Sequence, residues 1–153
     1  ADPERTAAKR PYTYELREKH MIVSLIGGMA NTQTGTCLPH GMSYALTQHK
    51  HIPHGLACGL LIGEYLKIFK QPETIARVNR AIRLCGFENL DEFCTFIDSM
   101  LLLKGDITPT PDEIEAYAEE FSQQKHRFAR HPEPAGKAEV LQIYTNSLLK
   151  RSR

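Results

Sequence analysis

The sequence predicts an all-α fold, a compact bundle of about seven helices. Three observations lead there. Apolar residues recur at helical spacing along most of the chain. No convincing run alternates apolar and polar residues between turn signals, as a strand would. Proline and capping residues repeatedly mark helix starts.

The elements follow in order. A first helix is expected from Tyr14 to about Asn31, carrying Leu16, Met21, Val23, Leu25 and Ile26, with Gly27, Gly28 and Ala30 allowing close packing. Pro39 suits the first turn of a second helix, running to about Gln48. Pro53 opens a third, Gly55 to Phe69, apolar on nearly every side and therefore expected to be central and buried. Pro72 starts a fourth that ends at Gly86, with Arg80 and Arg83 in its last turns, where cations suit the helix dipole. Asn89 and Glu92 read as a capping box for a fifth. Thr110-Pro111-Asp112-Glu113 is the clearest start signal, opening a sixth that runs to about Arg127. His131-Pro-Glu-Pro reads as a loop, and Lys137 to Leu149 as a terminal helix.

Composition narrows the function classes. The 153 residues suit one domain with a core of ordinary size. Nineteen basic and eighteen acidic residues leave a net charge of +1, spread along the chain, so no footprint for nucleic acid is expected. The basic tail Lys150, Arg151, Arg153 reads as a solvated end. Cys37, Cys58, Cys85 and Cys94 form no C-x-x-C pair and read as buried reduced thiols of a cytoplasmic protein. The N-terminus has no signal-peptide pattern, and the apolar run Leu56 to Gly63 is far short of the ~20 residues a membrane span needs. The chain begins without methionine, which suits a piece of a longer protein.

Four of the seven histidines fall between Leu38 and Gly59. His40 and His54 each sit in a P-H-G tripeptide, fourteen residues apart, where a helix begins. A helix N-terminus is electropositive and favours neutral imidazole, the form that binds metal. Gly41 and Gly55 leave room for a ligand or a neighbouring backbone. The pattern admits two readings, a metal pair or two cap residues bonded to backbone. His49 and His51, beside Lys50, read as solvated residues of the loop between Thr47 and Ile52.

The segment SLIGGMANTQTGTCLPHGMSYALTQHKHIPHGLACGLLIGEYL resembles the signature of the iron-containing (group III) alcohol dehydrogenases, with His40 and His54 in register. Arg17-Glu18, Ser24-Leu25 with Gly27-Gly28, and Pro132 to Tyr144 (PEPAGKAEVLQIY) are similar to flanking segments of that family. The resemblance implies a helical domain like that of the dehydroquinate synthases, holding a divalent ion, Fe²⁺ or in some members Zn²⁺. It implies His40 and His54 as metal ligands, the ion acting as a Lewis acid on an alcohol or aldehyde oxygen. NAD or NADP would be bound by an N-terminal α/β domain.

The family's other two ligands lie in a D-x-x-x-H pair, and the sequence has none; nor has it a glycine-rich phosphate loop after a strand. On the resemblance, residues 1–153 are therefore the C-terminal part of such an enzyme, inactive alone. Where many members carry a relay histidine, this chain has Tyr44, whose hydroxyl is a candidate for the proton relay. Glycerol dehydrogenase or a dehydroquinate-synthase-like relative is the neighbouring reading, and a non-catalytic helical metal-binding or interaction module the distant one. A homo-oligomer is expected, because the apolar third helix would offer surface for docking.

Overall fold

The computed structural model describes residues 13–101 and 107–149. The tail Lys150, Arg151, Arg153 lies outside them. Among the described residues every regular element is helical, as the periodicity requires. The chain divides into two units, Ala1–Thr36 and Cys37–Arg153.

The first unit contributes α1, Tyr14–Thr34. Thr13 caps it, its hydroxyl accepting the Leu16 N–H at 3.2 Å. Gly35, at φ 70°, ends it. Glu15 and Lys19 pair one turn apart on its surface. Taken by itself, the helix leaves Met21, Ile22, Val23, Leu25, Ile26 and Met29 exposed. Gly27 and Gly28 have nothing within 4 Å of where a Cβ would stand.

The second unit holds the core. It runs α2 (Leu38–Lys50), α3 (His54–Lys67), α4 (Pro72–Leu84), α5 (Leu90–Met100), α6 (Pro111–Ser122), α7 (Lys125–Phe128) and α8 (Lys137–Tyr144). A π-helical turn, Thr145–Leu149, continues α8. The third helix is central, as its composition predicts: it packs on α2, α5, α8 and the π turn, burying Ala57, Leu60, Leu61 and Tyr65. Leu38, Met42 and Leu46 of α2, Ile114, Tyr117 and Phe121 of α6, and Val140, Ile143 and Tyr144 of α8 complete the core.

The local signals act largely as read. Gly86, at φ 91°, follows α4. Thr110 and Glu113 form both halves of a capping box, and Glu113 also receives the Lys50 ammonium at 2.7 Å, tying the end of α2 to the start of α6. The box at α5 is only half made. Asn89 caps the Glu92 N–H at 2.9 Å, but the Glu92 carboxylate accepts from Glu88 N–H instead of from Asn89.

Two readings need correction. The sixth helix does not run to Arg127; it stops at Ser122 and resumes as the short α7 after Gln123 and Gln124, with Phe121 and Phe128 packed edge to face across the break. None of the four cysteines is fully buried, and Cys85 is exposed. His131-Pro-Glu-Pro is a loop, as read, and Glu133 within it is buried, its carboxylate accepting the Lys70 and Gln71 N–H groups just before α4. No described helix is long and apolar enough to cross a membrane.

Candidate metal centre

The linker Ile52-Pro53 returns the chain alongside α2, so that α3 begins beside Ser43 and His40 rather than beyond Lys50. His51 makes the turn possible by adopting φ 55°, unusual for a residue with a Cβ. The two P-H-G starts are thereby brought together. His40 Nδ1 and His54 Nε2 lie 3.1 Å apart, their rings edge to face.

Each ring is held from behind by a hydroxyl. Tyr44, one turn after His40, places its hydroxyl 2.8 Å from His40 Nε2. Ser43, fully buried, places its Oγ 3.0 Å from His54 Nδ1. The Ser43 proton is donated to the His40 carbonyl oxygen at 2.7 Å. Its oxygen must therefore accept from His54 Nδ1–H, which leaves the His54 Nε2 lone pair facing His40 and Cys58. Fixing the outer nitrogen so that the inner one is a free base is how proteins orient metal-binding imidazoles. Burial, then the neighbouring His54, then the Arg127 guanidinium push His40 below the ordinary imidazole range.

Cys58 is the residue that sequence reading missed. It lies one turn after His54 on α3, with Sγ 3.8 Å from His54 Nε2. One donor atom from each of His40, His54 and Cys58 lies within 4.8 Å of the others. The i,i+4 spacing from His54 was the available signal. The donor set fits a divalent ion. Ligand atoms on a tetrahedral ion with bonds of ~2.0–2.1 Å stand about 3.3 Å apart, close to the spacing of the two imidazole nitrogens.

Tyr44 is 45% exposed and spans the distance from His40 to the surface. Its ring stacks on His54 at 5.5 Å, and the Arg127 guanidinium lies 5.2 Å from its centroid. Arg127 reaches that position because the chain breaks between α6 and α7. Gly41 makes the approach possible: a Cβ there would stand 2.6 Å from the Phe121 ring and 2.7 Å from Arg127 Cδ. Gly55 has open space instead. Gly41→Ala is expected to cost about 1–3 kcal/mol, as overpacking does, measured as a lower urea midpoint. An unchanged midpoint would show that Phe121 and Arg127 yield freely.

His49 and His51 stay outside the cluster, both exposed. His49 is helical rather than in the loop, and stacks on Tyr117 at 5.3 Å.

Residues 4–148 match the Fe-containing alcohol dehydrogenase family, C-terminal. The chain is also similar to the 1-propanol dehydrogenase PduQ of Salmonella typhimurium, with 32% identity over 83 residues, 54% of this chain and 22% of that protein. The chain thus spans little more than a fifth of the length of that relative. No solved structure matches. The paired histidines and the match over nearly the whole chain agree, and the chain belongs to the Fe-containing alcohol dehydrogenase family, in its C-terminal part.

Proposed function

We propose that residues 1–153 form the metal-binding helical part of a cytoplasmic NAD(P)-dependent alcohol dehydrogenase, with His40 and His54 as metal ligands. A bound Fe²⁺ or Zn²⁺ supplies Lewis-acid polarisation of an alcohol or aldehyde oxygen. The nicotinamide is bound by a nucleotide-binding domain outside these residues, and hydride transfer awaits that domain. The similarity to a 1-propanol dehydrogenase supports a small alcohol as substrate.

One observation carries the reading: two imidazoles meet through their inner nitrogens at 3.1 Å while each outer nitrogen rests on a hydroxyl. Histidines serving only as helix caps have no reason to face each other in this way. Within this reading Tyr44 is the proton relay. Its hydroxyl contacts the ligand His40 on one side and solvent on the other.

Calorimetric titration of the chain with Zn²⁺, or with Fe²⁺ without oxygen, tests the proposal. One ion per chain is expected. Ser43→Ala should weaken binding about 10–100-fold, the usual cost of losing an outer-shell partner. Failure of the chain to bind either ion would refute the assignment, and unchanged affinity in Ser43→Ala would refute the orienting role of Ser43.

A further inference from the structure

We propose that a recess at the C-terminal end of α3 binds a small organic ammonium ion. Its volume is about 300 Å³, the lower end of the range of small-molecule sites. The paired imidazoles stand at the opposite end of the same helix, which begins at His54, so this site is independent of the metal reading.

Three helical ends meet there. Glu64 and Lys67 come from the last turn of α3, Ile97 and Asp98 from that of α5, and Asn146 and Ser147 from the π turn that continues α8. A helix C-terminus carries partial negative charge and favours cations. A π turn is rare in itself and is frequently found at functional sites. Gly63 lets Cys94 of α5 lie close over α3, since a Cβ there would stand 3.0 Å from the Cys94 Sγ.

The lining is rich in acceptors. Two carboxylates, Glu64 and Asp98, against one ammonium, Lys67, leave one negative charge in excess. Lys67 Nζ donates to one Glu64 oxygen at 3.0 Å, and Asn146 Nδ2 donates to the other at 3.1 Å. A carboxylate only accepts, so the Asn146 amide turns its nitrogen to Glu64 and keeps its oxygen as an acceptor. Ser147 is buried, and its hydroxyl has no hydrogen-bond partner among the described residues. Such a buried group is costly, and a ligand that donates to it relieves the cost. Among the described residues these groups do not bring three metal-ligating atoms together, as His40, His54 and Cys58 do. The recess therefore suits an extended organic cation rather than a metal ion, with Leu60 and Ile97 meeting its carbon chain.

The test is titration of the isotope-labelled 153-residue chain with isopropanolamine, followed by amide NMR. Propylene glycol and lactate serve as its neutral and anionic counterparts of the same size. Saturable shifts of the Gly63, Cys94 and Ser147 amides are expected with isopropanolamine alone. Asp98→Asn should raise its Kd about tenfold or more, the cost of losing a hydrogen bond to a charged group. Ser147→Ala should raise it about threefold, the cost of a neutral one. Asp98 is exposed, so its variant keeps the test decisive even if the buried Ser147 variant fails to fold. Absence of saturable shifts, or an equal response to all three compounds, would overturn the cation site. An unchanged Kd in Asp98→Asn would overturn the recess as the seat of binding, and one in Ser147→Ala the part given to its hydroxyl.

Discussion

His54→Ala is expected to abolish the stabilisation that a divalent ion gives this chain, while changing its metal-free stability little. In the metal-free protein His54 contributes bonds to Ser43, His40 and Cys58 at the first residue of α3. These lie at the edge of the fold, so their loss should cost about 1 kcal/mol. With metal present the balance is different. An ion at a hundredfold excess over its Kd stabilises the folded state by about 2.7 kcal/mol. For a unit of this size that is a rise in Tm on the order of 10 °C. Removing either imidazole leaves too few donors to hold the ion at that concentration, so the rise should vanish in His54→Ala and equally in His40→Ala. Thermal denaturation of the three proteins with and without Zn²⁺ checks this. A metal-induced rise that persists in both variants would place the ion elsewhere.

Tyr144→Ala should be the most destabilising single truncation in the second unit. Tyr144 is fully buried, and its hydroxyl donates to the Met42 carbonyl oxygen at 2.6 Å, joining α8 to the helix that carries His40, Ser43 and Tyr44. Its ring also meets Tyr117 edge to face. Burial pushes its phenol well above the ordinary tyrosine range, so it stays a neutral donor. Truncation to alanine opens a cavity where α2, α6 and α8 meet and should cost about 3–5 kcal/mol, a large share of a total stability of about 5–15 kcal/mol. Tyr144→Phe keeps the ring and should cost about 1 kcal/mol, because the Met42 carbonyl, inside α2, retains its helical partner. Urea denaturation separates the two. If both variants lost the same small amount, the packing role assigned to Tyr144 would be wrong.

The helices were legible because their signals are local. Pro39, Pro72 and the Thr110 box act within one turn, and Gly86 acts on its own φ. The half-made box at Asn89 shows the limit: Glu92 had two N–H groups within reach, and sequence does not say which it takes. The break after Ser122 was missed because the apolar spacing continues through it, while the turn is held by contacts made in the fold, among them Phe121 on Phe128 and Arg127 Nε on the Gln124 side chain. The histidine pair was legible from two P-H-G tripeptides in matching flanks. Cys58 was not, because a cysteine one turn after a histidine is ordinary until another helix brings a second imidazole to it.

The helical class and nearly every helix start are written in the sequence because each depends on residues within a turn of one another; the two histidines are written there as matching P-H-G tripeptides fourteen residues apart. The tertiary structure alone decided which side chains meet. It set Ser43 and Tyr44 behind the imidazoles, Cys58 beside them and Arg127 over Tyr44. Those contacts depend on how the linker at His51 folds α3 back along α2 and on how Gly41 lets Phe121 and Arg127 approach. Both are properties of packing between helices, which periodicity along one helix does not encode.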